Sequence, residues 1–332
     1  MTEQNIKVKK KAMTISLVIG MLMFAGKTSA YLLTGSAAVL SDALESIVHI
    51  IATAFAFYSL LISLKPPSRK LPYGYGKVEF FSAGFEGALI IIAAFSIYYY
   101  AIMDLIKGPE IDSLDIGALI IAIASLTNLF LGLYLIRSGK KTNSLILIAD
   151  GKHVLTDSVT SIGAFIALIL VLITDIPYFD PIIAIILASQ ILYTGSHLIK
   201  ESISGLMNQN DNKILSEIAE AFDKERSENE NLIDIHNLRY WKSGEKFYVD
   251  FHLTLPFYLT VLNTHKYYQR LEDILKKIFK TDQVEVMIHV DPCKTIACKV
   301  CQKHDCVDRK SENVVCKIWD VDKITGKASY NL

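Results

Sequence analysis

Two stretches, GSAAVLSDALESIVH at residues 35–49 and ADGKHVLTDS at residues 149–158, place ionisable side chains inside long apolar runs. Each stretch holds two such residues four positions apart, and together they are Glu45, His49, His153 and Asp157. In a helix this spacing directs both side chains of a pair to the same side. Ionisable groups at membrane depth cost several kcal/mol unless a partner compensates them. A divalent cation bound by two nitrogens and two oxygens is such a partner, so the pattern predicts a metal site within a membrane.

The composition is typical of a membrane protein with a soluble C-terminal part. Hydrophobic residues make up 52% of the chain, only 20% of residues are charged, and the mean hydropathy is +0.34. Long apolar runs end near residue 207, and six of them reach the roughly 20 residues that span a bilayer. These predicted spans are 13–34, 37–64, 80–106, 113–137, 144–173 and 180–200. A formal net charge of zero without a basic stripe gives no indication of nucleic-acid binding.

The basic residues predict the orientation of these spans. Lysine and arginine are concentrated before the first span, after the second and after the fourth. The alternate loops hold Lys107 and several acidic residues but almost no other basic residue. By the positive-inside rule this pattern predicts cytoplasmic N- and C-termini.

The two pairs are expected at matching depth. The second span reaches Glu45 after about 13 Å of helix from its outer end, and the fifth reaches His153 after a similar distance from its cytoplasmic end. One polar pair can also join two helices by hydrogen bonds without binding an ion. Two pairs near mid-membrane favour the metal site instead. Asp42 and Asp150 each precede a pair by three residues and are candidates for orienting its ligands.

The polar C-terminal part is predicted to form an α+β domain with the order αββαβ. Periodicity and turn residues predict, in chain order, a helix at 212–226, strands at 232–241 and 247–255, a helix at 259–280 and a strand at 284–290. Four of the eight histidines fall in this domain, and they are His236, His252, His265 and His289. A strand histidine is more often an exposed polar residue than a ligand. This concentration of histidines nevertheless favours metal binding.

A cysteine-rich segment, CKTIACKVCQKHDC, follows this domain at residues 293–306. Its four cysteines include one CxxC pair, a spacing typical of zinc or copper(I) sites, and free thiols are the alternative. A reducing cytoplasm disfavours disulfides. The candidate ligands are Cys293, Cys298, Cys301, His304 and Cys306, with Cys316 further along. Alternating hydrophobicity over 314–330 predicts an added strand or hairpin.

Several stretches of the chain resemble the cation diffusion facilitator family of metal transporters. They are the two quoted stretches, the loop LPYGYGKVEFFSAG at 71–84, and the sequence Asp180-Pro181 followed by an apolar run that ends in KESISGLM at 207. The match extends from about residue 13 to Asp291. It implies an α-helical membrane protein with six transmembrane helices and a cytoplasmic ferredoxin-like domain. It also implies a homodimer in the lipid bilayer that exports a divalent cation such as zinc by proton antiport.

The resemblance further implies two sets of metal ligands. The family's transport site uses two residues four apart on the second helix and two on the fifth, which correspond to Glu45, His49, His153 and Asp157. The family's cytoplasmic ligands, whose ions bridge the two subunits, correspond to His236, His252, His265, His289 and Asp291. Glutamate before histidine on the second helix is unusual for the family. The mixed donor set suits tetrahedral zinc, while iron(II), cadmium, cobalt(II) and manganese remain alternative substrates.

We therefore expect a transmembrane domain over 1–207, a ferredoxin-like metal-binding domain over 208–292 and a cysteine-rich tail over 293–332. The favoured function is secondary active transport rather than catalysis. An intramembrane metalloenzyme is disfavoured because the sequence contains no HExxH motif. A membrane-anchored metal sensor, in which the membrane part only holds the cysteine-rich tail, is a further alternative.

Overall fold

The computed structural model describes the backbone of residues 3–34, 37–108, 115–174, 176, 178–303, 305–313 and 318–327. Side chains within the helices are described except at 3, 30–45, 48, 115–121, 160–161, 163–172 and 180. The chain divides into two compact units, Met1–Met207 and Asn208–Leu332.

The first unit consists of long helices. Their bounds are α1 Glu3–Thr34, α2 Ala37–Ser63, α3 Val78–Lys107, α4 Asp115–Lys141, α5 Leu145–Thr174 and α6 Phe179–Leu206. Within the described part of the chain, four stretches are long and apolar enough to cross a membrane: Gln4–Ser29, Val78–Lys107, Ala122–Lys141 and Pro181–Leu206. A shorter apolar stretch, His49–Ser63, lies in α2. The predicted first span begins at residue 13, whereas helix α1 begins at Glu3, because the lysine-rich residues before the span are helical too. Among them, Lys9 is buried, and its Nζ lies 3.8 Å from Oε1 of Glu79.

Glycines allow two pairs of these helices to approach closely. A Cβ atom on Gly132 of α4 would lie 3.0 Å from the backbone oxygen of Gly151 of α5. A Cβ atom on Gly87 of α3 would lie 2.9 Å from the backbone oxygen of Gly195 of α6. Small residues are typical of helix interfaces in membranes, where close van der Waals packing replaces the hydrophobic effect as the driving force. These contacts hold α5, which carries half of the predicted transport site, against α4.

The second unit confirms the predicted order αββαβ. Its elements are α7 Asn212–Glu228, β1 Asp234–Ser243, β2 Lys246–Leu255, α8 Val261–Phe279 and β3 Val284–Pro292. The sheet order is β1-β2-β3, with β1 antiparallel and β3 parallel to β2. The hairpin turn between β1 and β2 contains Gly244 at φ 62°, a backbone conformation that favours glycine.

The chain beyond β3 returns to the core of this unit. Trp319 and Ile324 belong to the same buried cluster as Phe222 and Phe251. Residues 314–317 and 328–330 of the predicted strand or hairpin lie outside the described residues, and the part between them contains instead the short helix α9, Val321–Thr325. The strand prediction is wrong there because the side chain of Asp320 caps the helix by accepting a hydrogen bond from the backbone N–H of Lys323.

Candidate metal centres

Helices α2 and α5 bring His49, His153 and Asp157 together inside the membrane unit. One ligand atom of each residue lies within 4.8 Å of the other two. Nδ1 of His49 is 3.9 Å, and Nε2 of His153 is 4.0 Å, from Oδ2 of Asp157. These distances are too long for hydrogen bonds. A cation with metal–ligand distances of about 2.0–2.2 Å can lie between such atoms.

The two imidazoles of this triad are buried, and three of their four ring nitrogens have no hydrogen-bond partner. His49 is 7% and His153 is 5% exposed, and their rings stack with centroids 5.1 Å apart. Nδ1 of His49 and both ring nitrogens of His153 have no hydrogen-bond partner in the structure. A buried polar atom without a partner costs about 1–3 kcal/mol. An ion coordinated by one nitrogen of each ring would remove part of that cost, so the residues are suited to metal binding.

Gly20 of α1 makes space for the ring of His49. A Cβ atom at this position would lie 3.1 Å from Cδ2 and 3.2 Å from Nε2 of the imidazole. The sequence alone did not single out Gly20, because only the packing of α1 on α2 shows which glycine faces the histidine. Gly20 is therefore a positioning residue that sequence reasoning missed.

The fourth predicted ligand, Glu45, lies on α2 one turn before His49, and its side chain is outside the described residues. The same holds for Asp42, the candidate for orienting it. Their roles at the transport site stay predictions.

Asp150 connects three helices one turn before His153. Its Oδ2 accepts a hydrogen bond from Ser16 of α1 at 2.7 Å, and its Oδ1 accepts one from Thr53 of α2 at 2.8 Å. Both carboxylate oxygens therefore have protein partners, unlike the imidazole nitrogens of the triad. This arrangement suits a residue that fixes the rotation of α5 rather than one that binds the ion.

Helix α3 contributes two buried acidic residues that sequence reasoning missed. Glu79 lies beside Lys9, and its Oε2 accepts a hydrogen bond from the backbone N–H of Leu145 at 3.2 Å. Glu86 is 1% exposed, and neither of its carboxylate oxygens has a hydrogen-bond partner in the structure. The signal for Glu86 was an acidic residue inside an apolar run, the same signal that marked the two pairs.

The sheet of the second unit aligns three histidines across its strands. The register pairs His236 of β1 with His252 of β2, and His252 with His289 of β3. Neighbouring ring centroids are 4.9 Å and 4.6 Å apart. Asp291 lies on the same face as His289, and its Oδ2 is 3.0 Å from Nδ1 of His252 and 3.9 Å from Nε2 of His236. His236, His252 and Asp291 therefore offer three ligand atoms within 4.8 Å of one another.

A buried charge pair supports this second cluster. Asp234 lies 3.0 Å from Nδ1 of His236, and Lys323 of α9 lies 2.6 Å from the other oxygen of Asp234. A carboxylate on one ring nitrogen orients the imidazole so that the other nitrogen faces the ligand cluster. Burial lowers the pKa of His236, while Asp234 acts in the opposite direction. The sequence signal for Asp234 was its position two residues before a strand histidine, which places both on one face.

His265 lies apart from this cluster on α8. Its side chain is exposed, and its ring stacks on Tyr268 with centroids 5.6 Å apart. Neither group of three ligand atoms found in the described residues includes it. Its role as a ligand stays a prediction.

The four cysteines at 293, 298, 301 and 306 line one pocket just beyond β3, and all four are free thiols. Tyr258 and Arg309 line the same pocket. Burial raises the pKa of Cys293 and of Cys301, and neighbouring cysteines contribute to both shifts. The predicted ligand His304 and the fifth cysteine, Cys316, lie outside the described residues.

Long apolar helices with a histidine–carboxylate cluster, followed by an αββαβ domain with a second one, are the architecture expected of a membrane transporter of metal cations. The family model described as the cation efflux transmembrane domain matches residues 13–207. The model described as the cytoplasmic domain of cation efflux proteins matches residues 212–293. The chain therefore belongs to the cation efflux family, also called the cation diffusion facilitators.

Known relatives agree with this family over most of the chain. An uncharacterized transporter of Synechocystis is 33% identical over 80% of this chain and 84% of its own length. The manganese efflux system protein MneP of Bacillus subtilis is 29% identical over 88% of this chain and 99% of its own length. A cadmium, cobalt and zinc/H(+)-K(+) antiporter of Bacillus velezensis is 30% identical over 63% of this chain and 66% of its own length. The chain is thus an integral membrane transporter of divalent metals with a cytoplasmic C-terminal domain.

Proposed function

We propose that this transporter exports zinc from the cytoplasm in exchange for protons, with Glu45, His49, His153 and Asp157 as the transport site. The observation that carries the proposal is the triad of two buried imidazoles and a half-buried carboxylate, in which three of the four ring nitrogens have no hydrogen-bond partner in the structure. Imidazole nitrogens together with carboxylates suit zinc in a tetrahedral site. The same set also accepts iron(II), cobalt(II) or cadmium, so zinc is the preferred substrate rather than the exclusive one.

Proton exchange follows from the chemistry of these ligands. An imidazole nitrogen or a carboxylate oxygen must lose its proton before it binds a metal ion. Release of the ion leaves the same nitrogen and oxygen atoms free to accept protons. In the proposed direction the ion enters from the cytoplasm and leaves on the opposite side as protons replace it.

Manganese is the second candidate substrate. The relative MneP, which shares 29% identity over 88% of this chain, is named for manganese efflux. Manganese prefers oxygen ligands, which the carboxylates of Glu45 and Asp157 would supply. The two imidazoles of the triad favour zinc instead.

Transport by purified protein in lipid vesicles tests this function. We expect zinc to accumulate inside the vesicles while a trapped pH dye reports protons moving the other way, and we expect neither in vesicles without protein. Faster accumulation of manganese than of zinc would assign manganese as the substrate. Zinc movement without proton movement would exclude antiport, and no metal movement at all would favour the membrane-anchored sensor.

The cytoplasmic cluster is proposed to bind regulatory or structural zinc in a homodimer. The match to the cytoplasmic domain of cation efflux proteins supports this, together with the three ligand atoms of His236, His252 and Asp291. The ring of His289 is 68% exposed beside them and is available for a further ion or for contact with a second subunit. His265 lies apart from the cluster, so it would bind an ion there only if contact with a second subunit brought it close.

A further inference from the structure

The backbone positions the cysteines at the end of the sheet without using their sulfur atoms for the fold. The backbone N–H of Cys293, the first residue after β3, donates to the carbonyl of Leu255 at the end of β2, at 2.9 Å. Cys298 lies in a 3₁₀ turn, Thr295–Lys299, and the N–H of Cys301 donates to the carbonyl of Ala297 at 3.0 Å. These hydrogen bonds fix three of the four thiols around one pocket, and Cys306 completes its lining.

One guanidinium organises the loop that carries the later cysteines. Arg309 donates hydrogen bonds to the carbonyl oxygens of Cys298 at 3.1 Å and Cys301 at 3.0 Å. It also donates to Lys303 at 2.7 Å and to Ser311 at 3.2 Å. The loop therefore wraps around the guanidinium of Arg309, which donates hydrogen bonds to its carbonyl oxygens. These hydrogen bonds use carbonyl oxygens and not the thiols, which line the same pocket as Arg309.

The apolar contacts of this segment are too few to hold it by themselves. Its buried cluster consists of Ile233, Ala297, Val300 and Cys301, with Cys293 partly buried against it. The described residues between β3 and residue 313 form no regular element besides the 3₁₀ turn. Ordering a segment of this length costs backbone entropy at every residue, which small modules offset with a metal or disulfides. Beyond it, Trp319 still reaches the main core of the unit.

We propose that Cys293, Cys298, Cys301 and Cys306 bind one zinc ion that fastens the C-terminal extension to the end of the sheet. Four thiolates close a tetrahedral site and leave no open position, which is typical of a structural ion rather than of a transported one. The site differs chemically from the two histidine clusters, because its ligands are sulfur atoms that line one pocket. Among the described residues no three of these sulfur atoms lie within 4.8 Å of one another, so binding of the ion would draw the thiols together. The site is also independent of the proposed transport function.

Cobalt(II) binding to the full-length protein in detergent tests this site. Only a thiolate ligand gives an intense thiolate-to-cobalt charge-transfer band, so the histidine clusters do not contribute to it. We expect the metal-stripped protein to develop this band with cobalt alone and to lose it when zinc displaces the cobalt. The double variant Cys298→Ser/Cys301→Ser should lose the band, whereas the matched control Cys316→Ser should keep it.

The structural role has a separate readout in the same full-length protein. Removing the metal, or introducing Cys298→Ser/Cys301→Ser, should increase protease cleavage within residues 293–313 several-fold, while Cys316→Ser should not. No charge-transfer band in the parent protein would overturn the site, and loss of the band in Cys316→Ser would overturn the ligand assignment. Unchanged cleavage, with only a shift in the zinc concentration at which transport begins, would replace the structural role by a sensing role. Zinc flux that persists in the double variant after the charge-transfer band is lost would show that transport does not depend on the cysteine site. The two proposals can therefore fail separately.

Discussion

At the scale of single residues, the triad in the membrane unit has buried ring nitrogens whose free-energy cost a bound cation can lower. Three ring nitrogens of His49 and His153 have no hydrogen-bond partner in the structure, and each such atom costs about 1–3 kcal/mol when buried. A cation bound to one nitrogen of each ring removes part of this cost, yet it must also leave for transport to proceed. Competition between the cation and protons for the same nitrogens meets both requirements without a change of ligands.

Replacing His153 by alanine should abolish zinc transport, because the ion loses one of its nitrogen ligands. The control is His197→Ala, which removes an exposed histidine of α6 outside the ligand group. Zinc flux into vesicles, normalised to the amount of inserted protein, is the measurement. Flux in His153→Ala equal to that in His197→Ala would contradict the assignment of His153 as a ligand.

Gly20→Ala should reduce transport at least several-fold although it removes no ligand. The added Cβ atom would lie 3.1 Å from the ring of His49, so the imidazole must rotate or α1 must shift. Gly26→Ala is the matched control, since a Cβ atom there meets nothing within 4 Å on the same helix. Both variants should insert equally well, and the zinc concentration at half-maximal flux is the quantity to compare. Equal values for the two would show that the position of His49 does not depend on Gly20.

At the scale of elements, the lengths of the apolar runs predicted α1 to α6, and the periodicity of buried and exposed positions predicted α7 to β3. Strand alternation also placed His236, His252 and His289 on strands, but their alignment in one row depends on the register. Register comes from pairing between distant segments, which local pattern does not contain. The same limit explains why Gly20, Asp234 and the return of Trp319 to the core were not predicted.

Trp319→Ala should destabilise the cytoplasmic unit by about 3–5 kcal/mol, as expected for a large core side chain. Trp319 is 2% exposed within the cluster that contains Phe222 and Phe251, although it lies beyond the αββαβ order. The control Ile318→Ala alters an adjacent side chain that is 69% exposed and should have little effect. Hydrogen exchange of β1 to β3 in the full-length protein measures the difference. Equal protection in both variants would mean that residues 318–327 are dispensable for the core.

At the scale of the whole molecule, the chain separates its proposed ions by ligand chemistry. The membrane triad and the sheet cluster offer imidazole and carboxylate groups, whereas the pocket beyond β3 offers thiols. Thiolates bind zinc as a closed structural site, while mixed nitrogen and oxygen sites can release it as protons compete. A resident ion and a transported ion can therefore be the same metal without exchanging sites.

The sheet cluster should make dimerisation of the full-length protein depend on zinc. If the dimer binds the ion more tightly than the monomer does, zinc shifts the equilibrium toward the dimer by mass action. Sedimentation in detergent should show a larger dimer fraction with zinc than with a chelator. The variant His252→Ala/Asp291→Ala should lose this difference because it removes two of the three clustered ligands, while His197→Ala should retain it. Equal dimer fractions of the parent protein in zinc and in chelator would reduce the aligned histidines to polar residues of the sheet, with no part in joining two subunits.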